Sequence, residues 1–271
     1  MKNIFIPQKY EIIDIIKQTP IEYIFRIKFD KIDEINYGQF LQVSIPKVGE
    51  VPISISDFNC EKEYIDLLIR KVGKVTDAIF ELNVGDKLGL RGPYGNGFPF
   101  DEYKNKNLVI IAGGSGVAPV RSMIQHVYRN MSEIKSIELL LGFKDTSSFL
   151  FKDDIDKWRK EMNVVVTLDK GEETKENYIG LVTQHLDKLQ NLHKDTYKED
   201  LNVVIVGPPL MMKFTALELK KYNIPSECIW LSFERNMSCA VGKCGHCRIN
   251  ETYVCLEGPI FRYDKAESLV D

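Results

Sequence analysis

Two hydrophobic rhythms run along the chain, and one gives way to the other near residue 104. In the first hundred residues apolar and polar positions alternate over short runs: FRIKF at 25–29, QFLQVSI at 39–45, YIDLLIRKV at 64–72 and KLGLRG at 87–92. Alternation with a period of two marks half-buried strands, and Tyr37-Gly38, Gly49 and Gly85-Asp86 punctuate the runs as turns. Several short strands at this spacing predict an antiparallel barrel or sandwich, interrupted by one helical stretch around 76–82.

Beyond residue 104 the strands become strongly apolar: 108–112 is wholly so, and 137–143, 163–168 and 202–208 follow as further strands. Between them lie helical patterns. Val117, Val120, Ile124, Val127 and Tyr128 share one face, and Val182, Leu186 and Leu189 fall at i, i+4 and i+7. A further helix is predicted from Leu210 to about Tyr222, and CIWLSF at 228–233 is a last short strand. Strands buried on both faces and alternating with helices predict an open, parallel α/β sheet. No internal repeat and no long linker interrupts this order.

A length of 271 residues suits two domains with a small appendage. The net charge is −3, without the basic excess expected of a chain that holds phosphate backbones, so nucleic acid is excluded as a main partner. No apolar run reaches the ~18–20 residues of a membrane span. The opening MKNIFIPQKYEIID turns polar too soon for a secretory signal, so a cytoplasmic location is expected. The six cysteines change the picture most. Four of them, Cys239, Cys244, Cys247 and Cys255, crowd near the C-terminus. Such clumping points to a local metal or cluster site in a reducing compartment rather than a disulfide framework.

The cysteines follow C-x4-C-x2-C-x7-C, the order of plant-type binuclear iron–sulfur sites. Gly242 and Gly245 allow the backbone to fold closely around an inorganic core. A structural zinc site is the alternative, although it usually shows two CxxC-like pairs where this chain has one. Cys60 and Cys228 read as small buried hydrophobes, and His246 as a solvent-facing non-ligand. Upstream, AGGSGVAPVRSM at 112–123 joins a strand to a helix through a glycine loop, where free N–H groups and the helix dipole favour a pyrophosphate. Pro119 lies in the helix's first turn, where a missing N–H costs little. VGPPLMM at 206–212 ends another strand, and ligands of open α/β sheets bind beyond the carboxyl ends of strands. An ordinary strand-to-helix turn remains the alternative for the first loop. In the barrel, VGEVPISISD at 48–57 and RGPYGNGF at 91–98 could be plain turns, whereas Gly73-Lys74-Val75-Thr76 opens a helix whose amides could hold a phosphate.

Taken together and in this order, these segments resemble the ferredoxin–NADP reductase superfamily over nearly the whole chain. They are most similar to its branch of electron-transfer subunits that end in a 2Fe-2S cluster. Within that branch, GEVPISISD, RGPYGNGFP, FERNM-x-C-x-VGKCGHC and YVCLEGPIFRYDKAESL look most like the B subunits of anaerobic sulfite reductases. The resemblance implies an FAD-binding barrel over 1–101, an NAD(P)H-binding α/β domain over 102–230 and a cluster-binding segment over 231–271. It implies that Pro52, Ile53, Ser54 and Ile55 hold the isoalloxazine, with Ser54 near N5, and that Gly73, Val75 and Thr76 bind the flavin pyrophosphate. Gly113, Gly114, Gly116 and Pro119 would take the phosphates of the nicotinamide cofactor, and Gly207, Pro208 and Met211 its nicotinamide side. Cys239, Cys244, Cys247 and Cys255 would ligate the cluster, with Glu234 and Met237 leading into its loop. One departure is that Val51 and Ile53 stand where many members carry an Arg and an aromatic. Lys71, Lys74 or Arg91 could supply the missing positive charge at the flavin phosphates.

The implied activity is oxidation of NADH, with electrons passing through FAD and a 2Fe-2S cluster to catalytic and iron–sulfur partner subunits that reduce sulfite to sulfide. No side chain is needed as a strong acid or base. Asp145 after the second α/β strand would repel a 2′-phosphate and favour NADH, while Lys144 and Ser147 weigh slightly the other way. The alternatives are the electron-transfer subunit of a dihydroorotate dehydrogenase, a sulfhydrogenase or a transhydrogenase. From other classes, they are a zinc-stabilised flavin-binding module without electron output and a structural subunit with a decayed site.

Overall fold

The computed structural model describes residues 4–193 and 200–269. They cluster into two compact units. The first gathers residues 4–98 with Ala118–Ser122 and Glu234–Pro259; the second gathers Pro99–Val117, Met123–Phe233 and residues 260–269.

The first unit is built on a closed antiparallel barrel. Its strands are β1 (Gln8–Lys17), β2 (Glu22–Lys28), β3 (Phe40–Ile45), β4 (Gly49–Asn59) and β5 (Tyr64–Arg70), then helix α1 (Lys74–Phe80), then β6 (Lys87–Tyr94). The order around the barrel is β1-β2-β5-β4-β3-β6. Closure removes the exposed edges of an open sheet. Ile12, Phe25, Ile27, Leu41, Val43, Ile55, Leu67 and Leu88 fill the interior. Burying side chains of this size contributes roughly 1.5–3 kcal/mol each before entropy is counted.

Two strands departed from the sequence reading. β1 carries a bulge between Ile12 and Asp14, so its alternation slips by one and IIDII does not read as period two. The segment VGEVPISISD is not a turn but strand β4, and Pro52 sits inside it. A proline is tolerated there because β4 pairs with β5 only from Ile55 onward, while residues 49–54 pair with β3 alone among the described residues.

The second unit is an α/β sheet. Its elements are β7 (Asn107–Gly113), α2 (Val117–Arg129), β8 (Ser136–Phe143), α3 (Lys152–Trp158), β9 (Asn163–Leu168), β10 (Tyr178–Ile179), β11 (Leu201–Val206), α4 (Pro209–Lys221) and β12 (Ile229–Ser232). The first residues of α2 cluster with the barrel unit. In the cysteine-bearing segment come the hairpin β13 (Arg248–Ile249) and β14 (Thr252–Tyr253) and the short helix α5 (Val254–Glu257). β15 (Ile260–Arg262) and α6 (Tyr263–Ala266) then return to the sheet unit. The sheet order is β10-β9-β8-β7-β11-β12-β15. All its pairings are parallel except that of β15, which runs antiparallel to β12. The predicted parallel sheet is therefore present, with an antiparallel edge that the sequence did not reveal.

The amphipathic helix expected from Val182, Leu186 and Leu189 is replaced by three single 3-10 turns, Val182–Gln184, Leu186–Lys188 and Gln190–Leu192. The three apolar residues are buried all the same. The amides of residues 184, 185, 188 and 189 bond carbonyls three residues back, and just beyond them Glu138 on β8 accepts the backbone N–H groups of Gln190 at 3.0 Å and Asn191 at 2.7 Å.

Candidate functional site

In the sheet unit, the site begins where two neighbouring strands end. β7 and β11 pair in parallel up to Ala112 and Val206, so the loops after them lie side by side. Glycine is required there for close approach. A Cβ on Gly116 would stand 2.5 Å from the carbonyl oxygen of Val206. A Cβ on Gly113 would meet the Met211 sulfur at 2.3 Å, and one on Gly207 would meet the Met211 methyl at 2.7 Å. Gly114, at a φ of +54°, faces open space. Gly113, Gly116, Gly207, Pro208 and Met211 thus lie close together beyond the carboxyl ends of two neighbouring strands, with Gly114 in the same loop, where open α/β sheets bind ligands. Pro119 is buried in the first turn of α2.

Asp145 caps the turn that follows β8. Its carboxylate accepts from Ser147 N–H at 3.0 Å, Ser148 N–H at 3.1 Å and Ser147 Oγ at 2.6 Å. These bonds, the Ser147 hydroxyl foremost, hold its pKa below the ordinary carboxylate value, so it is a fixed negative charge.

In the barrel unit, the side chains of β4 alternate. Ile55 is buried in the barrel core, so it can meet a ligand only through its backbone, while Val51 and Ile53 pack against that core and stay partly exposed. Pro52 and Ser54 point the other way and remain partly exposed. The unpaired half of β4 leaves backbone groups open beside them. Gly73 opens α1 as predicted. Thr76 Oγ1 closes this loop: it accepts from Val72 N–H at 2.9 Å and Gly73 N–H at 3.0 Å and donates to Gly73 O. Lys71 and Lys74 are exposed next to it. Arg91, the third candidate for a phosphate partner, is committed elsewhere. Its guanidinium donates to both oxygens of Glu50 (3.1 and 2.5 Å), to Tyr94 Oη (3.1 Å), to Ser238 O (3.1 Å) and to Cys239 O (3.2 Å).

Those last two bonds reach the cysteine loop, which packs in the same unit. Cys239 Sγ accepts backbone N–H groups from Val241, Lys243 and Cys244 at 3.3–3.5 Å, and Cys255 Sγ accepts from Gly242 at 3.2 Å. The Cys244 thiol is brought down to about 7, mainly by the backbone N–H of Cys239, and Cys255 is pushed up to about 12, mainly by burial. Among the described residues, no three His, Cys, Asp or Glu side chains converge as ligands of one metal ion. Backbone N–H groups aimed at the Cys239 and Cys255 sulfurs suit thiolate ligands of an iron–sulfur cluster, whose sulfurs are commonly stabilised in this way. His246 is exposed, as expected. Cys228 is buried but Cys60 is exposed on the turn after β4, so Cys60 is not the small buried hydrophobe that was expected.

Two features escaped sequence reasoning. Gln42, fully buried on β3, donates to Met237 O at 3.0 Å. Asp66, also fully buried, takes Arg26 through two bonds of 2.8 and 3.0 Å and Arg121 at 3.3 Å, with Asp57 3.6 Å from Arg121. An isolated Gln or Asp in a strand carries no motif, so neither had a signal.

Residues 14–98 match the oxidoreductase FAD-binding domain and 110–216 the oxidoreductase NAD-binding domain. Residues 234–267 match the iron–sulfur cluster binding domain of dihydroorotate dehydrogenase B. The sulfhydrogenase 2 gamma subunit of Pyrococcus furiosus is 36% identical, the alignment covering 93% of each chain. The sulfhydrogenase 1 gamma subunit of the same organism is 32% identical over 96% of this chain and 92% of its own. The chain belongs to the ferredoxin–NADP reductase-like family of electron-transfer subunits. Another relative is the electron transfer subunit of dihydroorotate dehydrogenase B from Streptococcus mutans, 28% identical over 87% of this chain and 88% of its own. The fold agrees with that of a NADH-dependent reduced ferredoxin–NADP oxidoreductase, at a TM-score of 0.78, 24% identity and coverage of 96% and 92%. A family member of this composition is an oxidoreductase using FAD, NADH and an iron–sulfur cluster.

Proposed function

We propose that the chain is the NADH-oxidising electron-transfer subunit of an anaerobic sulfite reductase, delivering electrons to catalytic and iron–sulfur partner subunits that reduce sulfite to sulfide. The observation that carries the electron-transfer reading is local. The cysteine loop is fastened by Gln42 to β3, the strand beside Pro52–Ser54, and by Arg91 to β6, the next strand round the barrel. When bound, FAD takes two electrons from NADH and releases them singly to a 2Fe-2S cluster.

The residues divide this work over an FAD-binding region at 1–101, a nucleotide-binding region at 102–230 and a cluster-binding segment at 231–271. Pro52 and Ser54 hold the isoalloxazine with their side chains, Ile53 and Ile55 with their backbone. Gly73, Val75 and Thr76 carry the flavin pyrophosphate, with Lys71 and Lys74 supplying charge. Gly113, Gly114, Gly116 and Pro119 form the dinucleotide's phosphate loop, and Gly207, Pro208 and Met211 cover its nicotinamide side. Asp145 disfavours a 2′-phosphate, so NADH is the donor. Cys239, Cys244, Cys247 and Cys255 would ligate the cluster. No side chain acts as a general acid or base; the protein positions, shields and tunes.

Sulfite as the final acceptor is supported by GEVPISISD, RGPYGNGFP and the stretch around VGKCGHC. The similarity to sulfhydrogenase gamma and dihydroorotate dehydrogenase B subunits favours a second reading, with a hydrogenase or an orotate-forming partner. Anaerobic co-purification through this chain, followed by NADH-dependent assays with sulfite, polysulfide and orotate, separates the two. The proposal expects sulfite reduction that is lost when this chain is omitted. Activity confined to polysulfide or orotate would replace it with the second reading.

A further inference from the structure

We infer that Arg91, clamped by Glu50, is a positioning residue that fixes the first cluster cysteine against the flavin strand and sets the electrostatic environment of the cluster. A guanidinium has five N–H donors, and all five of Arg91 are used. Two engage the Glu50 carboxylate, one the Tyr94 hydroxyl, and the remaining two the successive carbonyls of Ser238 and Cys239. The side chain is only 4% exposed, so this charge is held among protein groups and screened weakly.

The placement of the pair gives it more than a packing role. Glu50 lies on β4 two residues before Pro52, and Arg91 on β6. Between them runs β3, whose Gln42 stands opposite both Pro52 and Arg91 in the sheet register and donates to Met237 O. Three consecutive carbonyls, of Met237, Ser238 and Cys239, are therefore held by side chains from the strands around the flavin segment. A shift of this ion pair would move Cys239 relative to Pro52 and Ser54. The pair also carries opposite charges at unequal distances from the cysteine. Arg91 touches the Cys239 carbonyl, and Glu50 lies behind it.

This inference rests on the flavin and cluster reading above. One NADH gives NAD⁺, a proton and two electrons; in a single turnover one electron reduces one iron of the cluster and the other stays on the flavin. The test compares wild type, E50Q, R91Q and R91K under anaerobic conditions. Stopped-flow absorbance follows flavin and cluster separately, and a redox titration gives the cluster midpoint potential. Removing the negative charge in E50Q is expected to raise the cluster potential, and removing the positive charge in R91Q to lower it. R91K, which keeps the charge but cannot reach all five partners, restores the potential while cluster reduction remains slower by about tenfold or more. Flavin bleaching by NADH persists in all variants. A merely structural role would lower iron content or melting temperature without opposite shifts in potential. If R91Q does not fold, the isosteric E50Q and R91K carry the test. Potentials unchanged within error, or shifted in the same direction in E50Q and R91Q, overturn the inference. A wild-type protein without cluster or NADH-reducible flavin overturns this inference and the functional reading together.

Discussion

The thioether of Met211 occupies the space in which a side chain on Gly113 would begin, 2.3 Å from the ideal Cβ position. The obstacle is the end of a flexible side chain, so an alanine at 113 displaces Met211 rather than breaking the fold. Gly113→Ala is therefore expected to raise KM for NADH by about tenfold, roughly 1.4 kcal/mol of binding, with a smaller effect on kcat. Gly116→Ala meets the backbone of β11 instead and should cost about 1–3 kcal/mol of stability. Steady-state kinetics and thermal melting distinguish the two outcomes. Equal effects on KM in both variants, with no change in melting for Gly116→Ala, would contradict this assignment.

Asp66 is fully buried between two arginines, so its removal strands positive charge in the barrel wall. Because Arg26 is partly exposed and rehydrates, Asp66→Asn should cost about 2–3 kcal/mol, below the range for fully buried pairs. Arg121→Met leaves the two-bond pair of Arg26 with Asp66 intact and should cost about 1 kcal/mol. Urea midpoints for both variants check the order; a larger loss in Arg121→Met would reverse the assignment of the stronger partner.

Asp145 is expected to govern the choice of dinucleotide. The serine donors lower its pKa, so protonation on acidification sets in later than for a free carboxylate, and the repulsion of a 2′-phosphate holds from neutral to mildly acidic pH. Asp145→Asn should raise kcat/KM for NADPH relative to NADH by about tenfold, the equivalent of one modest charge interaction. In the native protein Asp145 stays charged through this range, so the NADH preference should soften only as the 2′-phosphate itself takes up its second proton at about pH 6. A preference unchanged in Asp145→Asn would place discrimination on another group.

Gly242 combines a φ of +67° with a neighbour, Leu256, whose methyl would lie 2.1 Å from an added Cβ. Its N–H also donates to Cys255 Sγ. Gly242→Ala should therefore retain flavin but lose most of its iron during purification. The iron-to-flavin ratio measures this directly, and an unchanged ratio would show that the loop tolerates the change.

How much of this was legible in the sequence follows from the range of each interaction. The glycine loops, the apolar parallel strands and the cysteine spacing are local signals, and each emerged where expected. Strand β1 was hidden because its bulge breaks the alternation. The helix expected near Leu186 is a run of short turns instead, followed at Gln190 and Asn191 by amides bonded to Glu138, some fifty residues away. Arg91 read as a free cation for a flavin phosphate, whereas its partners lie on β4 and in the cysteine loop. Such long-range polar pairings leave no periodicity to read.

The central claim is that electrons entering from NADH leave through the four cysteines. Anaerobic titration of the purified protein with NADH, followed by absorbance together with metal analysis, tests it most directly, with Cys244→Ser in parallel. The account predicts about two irons per chain, bleaching of both flavin and iron–sulfur bands in the native protein, and bleaching of the flavin band alone in the variant. Stoichiometric zinc in place of iron, or an iron–sulfur band that NADH leaves untouched while the flavin is reduced, would contradict it.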